Sequence, residues 1–253
     1  MKTIVFDLDG TLTESKEALD SEMIALLSKL LATHSIAIVS SSTWKQFQKQ
    51  VLTGIDENVN NLYLLPNSGG SMYQTWGRYG WVATYQTKLS KRDTDRIEKA
   101  FDDAIADSGF KQPDKLWGKQ FENRESQITF SALGQKAPIE EKESYDPDLS
   151  KRKVLVESLQ KKLTSYDVSI SGTTSVEVSL KGINKKFGID ELMKRLHVSK
   201  DDVLFVGSKI VKGNTNYVAV EMGLNYVQVN DCEDTKKLIR SLLDPATSLE
   251  KTG

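Results

Sequence analysis

The sequence predicts an α/β protein with a Rossmann-like parallel-sheet core and an inserted α+β domain. Three observations carry that prediction. Short apolar, β-branched runs alternate with helical periodicity at both ends of the chain, the pattern of parallel strands joined by crossover helices. The middle breaks this alternation with runs that pair locally across turn residues. The length of 253 residues is about 1.7 domains at roughly 150 residues each. The core then takes residues 1–86 and 183–253, and the insertion takes residues 87–182.

In chain order, residues 2–6 form an apolar strand that ends abruptly in Asp7-Leu8-Asp9-Gly10-Thr11. Met23, Ile24, Leu26, Leu27, Leu30 and Leu31 share one helix face. Residues 36–39 form a buried strand that runs into Ser40-Ser41-Ser42-Thr43, followed by a helix over 44–52 and a strand over 62–65. Residues 72–75 and 81–85 flank a turn and read as a hairpin, with Trp76, Tyr79 and Trp81 assigned to cross-strand packing. In the insertion, 91–108 is a charged helix, 127–132 a strand, 134–148 a polar stretch and 149–163 a basic helix. Strands over 168–171 and 175–180 follow. Lys151, Arg152, Lys153, Lys161 and Lys162 read as a solvated helix face. The first texture then returns: helix 185–196, strand 202–206, helix 216–222, strand 225–229 and helix 233–243. The tail after Pro245 is expected to fray.

Composition narrows the function classes. Lys plus Arg is 34 and Asp plus Glu is 35, a net charge of −1. A broad nucleic-acid or anionic-membrane surface needs a positive field, so neither partner is expected. No run approaches the roughly 20 apolar residues of a membrane span, and the N-terminus lacks a signal-peptide pattern; a cytoplasmic location is expected. The single cysteine, Cys232, has no partner for an internal disulfide. With only His34 and His197 beside it, a structural zinc or multi-histidine centre is excluded.

Ligands of open α/β sheets sit at the carboxyl ends of the strands. Those ends carry Asp7 and Asp9, then Ser40 to Thr43, then the segment 207–216. Asp7 and Asp9, on a loop leaving a buried strand, face each other across a tight turn whose unusual torsions Gly10 permits. Two carboxylates one residue apart can divide the work: one attacks while the other moves protons, and both can help position a hard cation such as Mg2+.

Asp7-Leu8-Asp9-Gly10-Thr11, after an apolar strand, resembles the first motif of the haloacid dehalogenase-like phosphotransferases. Ser41-Ser42 resembles the second motif, Lys185 the third and residues 207–216 the fourth. The insertion lies where that family's second type of cap domain lies. Within the family, the chain is similar to the branch of eukaryotic-type phosphomannomutases and sugar-phosphate phosphatases. Arg124, Ser175 and Glu177 match that branch's cap residues for substrate phosphate and hydroxyls. The resemblance implies that Asp7 is the nucleophile, forming an aspartyl-phosphate, and that Asp9 is the acid and base. It implies that Ser42, with Ser41 as second choice, and Lys185 neutralise and orient the transferring oxygens. It implies Mg2+ at Asp7, Asp9 and the positions of Ser208 and Asn216. The implied partner is a small phosphorylated sugar, and the implied assembly a monomer or homodimer.

Two departures qualify these expectations. Ser208 and Asn216 stand where the fourth motif has aspartates. Oxygen atoms remain but two negative charges are lost, so metal affinity is expected to fall. Gln135 and Trp117 stand where the mutase pattern has arginines, and glutamine does not reproduce a bidentate grip on phosphate. The expectation is a Mg2+-dependent phosphatase of small phosphorylated sugars, weakened at its fourth motif. The alternatives are a phosphomannomutase-like phosphohexomutase and a catalytically silent sugar-phosphate-binding protein.

Overall fold

The computed structural model describes residues 3–244; Lys2, expected to begin the first strand, and the tail after Pro245 lie outside them. The elements are β1 (Thr3–Asp7), α1 (Ser21–Leu31), β2 (Ser35–Val39), α2 (Trp44–Gln50), β3 (Leu62–Leu65), β4 (Ser71–Thr75), β5 (Trp81–Gln86), α3 (Lys91–Asp107), β6 (Phe121–Asn123), β7 (Gln127–Ser131), α4 (Ile139–Tyr145), α5 (Ser150–Lys162), β8 (Tyr166–Ser171), β9 (Ser175–Leu180), α6 (Lys185–Leu196), β10 (Val203–Ser208), α7 (Val218–Met222), β11 (Asn225–Val229) and α8 (Cys232–Leu243).

A seven-stranded sheet has the order β11-β10-β1-β2-β3-β4-β5, parallel from β11 to β3 and antiparallel from there to β5. Alternate residues point to opposite faces of a strand, and both faces of the central strands are covered. Ile4, Phe6, Ile36, Ile38, Leu204 and Val206 join a core with α1, α2 and α8. Val5, Ala37, Val39, Val203 and Phe205 join a core with α6 and α7. Strands buried on both faces carry unbroken apolar runs, which is why they are legible in the sequence. Helix starts are fixed by side-chain caps: Asp20 accepts from Met23 N, Thr43 from Gln46 N, and Asn184 from Phe187 N. The last of these makes Lys185 the first residue of α6.

The second sheet, β6-β7-β9-β8, is antiparallel. One face packs on α3 and α5 through Ile128, Phe130, Val176, Val178, Phe101, Leu155 and Leu159. The opposite face is polar. Its register sets Thr129 opposite Glu177 and Ser131 opposite Ser175. This face meets the carboxyl edge of the first sheet: Ser68 donates to Glu177 at 2.9 Å, and the Arg124 guanidinium donates to the Ser41 carbonyl.

Several expectations change here. The 134–148 stretch contains α4, whose one buried residue is Lys142, so no apolar period marks it. The three-residue β6 is likewise without a signal. In the hairpin, Trp81 lies 6.1 Å from Trp44, which stacks on Tyr73 at 3.9 Å. Trp76 and Tyr79 are exposed at the tip and take no part in that packing.

Arg152 is the main correction. It is fully buried, not part of a solvated face. It falls on the helical stripe of Leu155 and Leu159, so the period of α5 turns it inward. Its Nε donates to Asp146 at 2.7 Å, and Nη1 reaches the carbonyls of Ser171, Gly172 and Ser175 at 3.2 Å each. The Asp146–Arg152 pair thereby pins the β8–β9 turn. Among the described residues, no helix is long and apolar enough to cross a membrane.

Replacing one partner of this pair leaves the other charge buried and unpaired. Arg152→Met is expected to cost roughly 3–5 kcal/mol in chemical denaturation. The Asp146→Leu/Arg152→Met double variant should recover much of that loss; equal losses in both would show that the pair is not the source.

Candidate active site

β1 is the central one of the five parallel strands of the first sheet and delivers Asp7, 7% exposed, at its carboxyl end. The chain then turns through Gly10, at φ +76°, and Gly10 N donates to Thr13 O at 2.7 Å. A side chain at Gly10 would be strained and would meet Ser208 Oγ. The neighbouring β10 ends at Ser208, whose N–H donates to Thr11 Oγ1 at 3.0 Å. Pairing of β1 with β10 therefore lays the segment after residue 207 beside Asp7.

Lys185 reaches the same point from α6. Gly188, one turn along, lets α6 close on the 67–69 turn, because a Cβ there would lie 2.7 Å from Gly69 Cα. Lys185 is 5% exposed, and its Nζ donates to Asp7 Oδ1 and to Asn216 Oδ1, both at 2.7 Å. Asn216, also buried, donates from Nδ2 to Asp7 Oδ2 at 3.0 Å and to the Ser208 carbonyl at 2.7 Å. Four residues named from the sequence thus form one network.

Asp9 lies in an adjoining group. Its Oδ2 accepts from Ser40 Oγ at 3.3 Å and Ser42 Oγ at 3.4 Å. Its Oδ1 accepts from Lys16 N at 2.8 Å and Gln50 Nε2 at 3.4 Å. Ser42 is oriented by the chain just before α2, whose Thr43 cap has Gln46 as reciprocal partner. Ser41 presents its carbonyl to Arg124 and, at 3.4 Å, to Gln127 Nε2. A cleft of about 900 Å³ joins Asp7, Asp9, Ser41, Lys142, Thr173, Lys185, Ser208 and Asn216. Its scale is that of a small-molecule site.

The second sheet supplies the opposite wall. Ser175, Thr174 and Ser131 line a small adjoining pocket of about 70 Å³ with Arg124 and Gln135, which shares Asp9, Ser41, Lys142 and Thr173 with the cleft. Arg124, 5% exposed, is a buried clamp between the two layers: its Nε donates to Glu122 at 2.8 Å. Glu177 lies farther along, in a groove that also reaches Lys185. Its Oε2 accepts from Ser68, while Oε1 is buried with no partner.

Lys16, Lys142 and Gln50 escaped the sequence reading, since none belongs to a spacing with a recognisable purpose; that reading places Ser40 at a strand end, without a role of its own. Lys16 is an exposed residue whose ammonium donates to Gln135 O at 2.8 Å and Oε1 at 3.1 Å. Loss of water around this ammonium, then the charges of Lys142 and Arg124, lower its pKa to about 8. Burial also lowers that of Lys142. Three cations therefore gather against the carboxylates of Asp9 and Glu122. Cys232, at the start of α8, is not activated: burial and the nearby Glu14 and Asp231 raise its thiol to about 11.

The donor set near Asp7 suits a tightly held dication poorly. Among the described residues, no group of three His, Cys, Asp or Glu side chains is placed to hold a metal. Asn216 turns amide hydrogens toward Asp7 Oδ2, and Lys185 covers the other oxygen. Hard cations need oxygens there.

A bound dianion would favour the charged form of Lys16. Sulfate keeps its charge through this range, so its affinity should hold below pH 8 and fall about three- to tenfold by about pH 9.5 as Lys16 loses its proton. Lys16→Met should weaken sulfate binding at neutral pH and flatten the profile. A flat profile in the unaltered protein would count against the cluster as an anion site.

Comparison with known proteins gives concordant findings. Residues 4–209 match the family of haloacid dehalogenase-like hydrolases. The phosphomannomutase of Schizosaccharomyces pombe is 28% identical over 226 residues, 85% of this chain and 84% of that protein. Phosphomannomutase 1 of Homo sapiens is 23% identical over 253 residues, 97% of this chain and 94% of that protein. Among solved structures, the IMP-bound, N-terminally truncated IMP-nucleotidase of Plasmodium falciparum superposes with a TM-score of 0.72 at 17% identity. That match covers 96% of this chain and 68% of the other, and it bears on the fold.

Proposed function

The chain belongs to the haloacid dehalogenase-like hydrolases, and on that premise we propose that it is a phosphohydrolase of small phosphorylated sugars. The observation that carries this reading is the buried Lys185–Asp7 contact at the floor of a cleft roofed by cations and hydroxyls. A phosphoryl group needs positive charge and a positioned nucleophile, and little else from the protein. A sugar needs an array of hydroxyl and amide partners, which Ser41, Ser131, Gln135, Thr174 and Ser175 offer.

The reaction runs in two transfers. A carboxylate oxygen of Asp7 attacks phosphorus, and the bond from phosphorus to the sugar oxygen breaks. Protonated Asp9 gives its proton to that departing oxygen. Asp9 then takes a proton from water, the water oxygen attacks the phosphorus of the aspartyl-phosphate, and inorganic phosphate leaves with Asp7 restored. Lys185 faces the charge that develops on the transferring group. Ser42 holds one of its oxygens, with Ser41 on the same loop. Residues 87–182 act as the cap: Arg124 faces an anionic group, Ser175 a hydroxyl, and the unpartnered Glu177 Oε1 a further hydroxyl. Mg2+ is the cation that the family resemblance implies, but the donors at Asp7 fit it poorly.

A second reading, a phosphohexomutase, is favoured by two observations. The relatives are phosphomannomutases, and Lys16, Arg124 and Lys142 gather charge enough for a second anionic group. Gln135, in place of an arginine, weighs against it.

Phosphate release from a panel of hexose and pentose monophosphates and hexose bisphosphates tests the reading, with phosphorus NMR following the fate of the group. Release of inorganic phosphate, lowered at least about a thousandfold by Asp7→Asn, is the expected outcome. Retention of phosphate on a different sugar carbon would assign the mutase instead. Tight binding with neither reaction would leave a sugar-phosphate-binding protein.

A further inference from the structure

We infer that the side-chain amide of Asn216 does at Asp7 what a divalent cation would otherwise have to do, so that the site holds a phosphoryl group without one. The inference rests on the reading of Asp7 as the carboxylate that meets the phosphoryl group.

The orientation of the amide follows from its neighbours. The Lys185 ammonium can only donate, so it takes Asn216 Oδ1. The Asp7 carboxylate oxygen and the Ser208 carbonyl can only accept, so each takes a hydrogen of Nδ2. Turning the amide over would set nitrogen against ammonium and oxygen against two oxygens. The backbone N–H of Asn216 is in turn held by Asn214 Oδ1 at 3.0 Å. Every polar atom of the side chain is used, in a position 4% exposed.

Charge decides what could replace it. Asp7 and Lys185 cancel, and Asn216 adds nothing, so the buried network is neutral. An aspartate at 216 has nearly the same shape. It would add a second buried negative charge and place carboxylate oxygen against Asp7 Oδ2 and the Ser208 carbonyl, with no hydrogen between them. Such a cluster demands a cation or a proton. The asparagine supplies its hydrogens permanently. Asn216 is accordingly a positioning residue: it fixes the free oxygen of Asp7 and removes the need for a metal to do so. Ser208 removes a second acid from the same place. The charge of an incoming phosphate is then met by Lys185 and Lys16 from the core side and by Arg124 and Lys142 from the roof.

The test measures binding of inorganic phosphate by calorimetry and thermal unfolding of the full chain, each in chelator and in millimolar Mg2+. The unaltered protein should bind phosphate with an affinity that changes less than about twofold between the two conditions, a difference well under 1.4 kcal/mol. Its melting temperature should not move with Mg2+. Asn216→Asp should lose at least about tenfold in phosphate affinity in chelator and melt lower, and Mg2+ should restore both. A residue with only a packing role would not confer that cation dependence. Phosphate affinity in the unaltered protein that rises tenfold or more with Mg2+ overturns the inference, whether or not the variant folds, and leaves the phosphohydrolase reading standing. Failure to bind phosphate in both conditions overturns both.

Discussion

The hydrogen-bonded ion pair between Lys185 and Asp7 is the contact on which the rest of this architecture depends. The two residues are 178 positions apart. A carboxylate in so dry a place must be paired or neutralised, so the chain has to come back to its own beginning. β1, central among the five parallel strands, fixes one end of the contact. The Asn184 cap and the Gly188–Gly69 approach fix the other. Everything between β5 and α6 is an excursion that leaves the first sheet and returns to it, free to build a roof because the floor is closed by other means.

That roof is a sheet with two unlike faces. Ile128, Phe130, Val176 and Val178 anchor it to α3 and α5, while the residues between them are polar and look toward the cleft. The Asp146–Arg152 pair gives the β8–β9 turn a rigid attachment that its own short loop could not supply. Buried polar atoms left without partners, Glu177 Oε1, Asn67 Oδ1 and Ser126 Oγ, fall where the two layers meet. Satisfied polar burial is the rule in folded interiors. Three of the five such atoms among the described residues lie at this seam, the others being Ser71 Oγ and Tyr145 Oη, so the two layers meet less completely satisfied than either interior.

Electrostatics across the cleft are correspondingly lopsided. The network of Asp7, Lys185 and Asn216 is neutral, and the cleft's other end gathers Lys16 and Asp9 from the core with Arg124, Lys142 and Glu122 from the roof. Replacing two expected acids by Ser208 and Asn216 therefore does more than weaken a metal site. It leaves the cleft two negative charges short of the expected motif against the same cations, a balance that favours an anionic group.

The sequence by itself determined the parallel core, the insertion pattern of strands and helices, and the loops on which Asp7, Asp9, Ser42 and Lys185 stand. Each of these is written in local periodicity, or in a short motif at a strand end, and neighbouring residues suffice to express it. It did not reveal α4, the burial of Arg152, or the entry of Lys16 and Lys142 into the cleft. A lone lysine in a polar stretch reads the same whether it faces water or a carbonyl oxygen 119 residues away. Only the tertiary structure decided that Asn216 turns its nitrogen to Asp7 and its oxygen to Lys185, because the direction of an amide is set by which donors and acceptors surround it. Those neighbours come from three separate strands and helices, and no stretch of sequence contains them together.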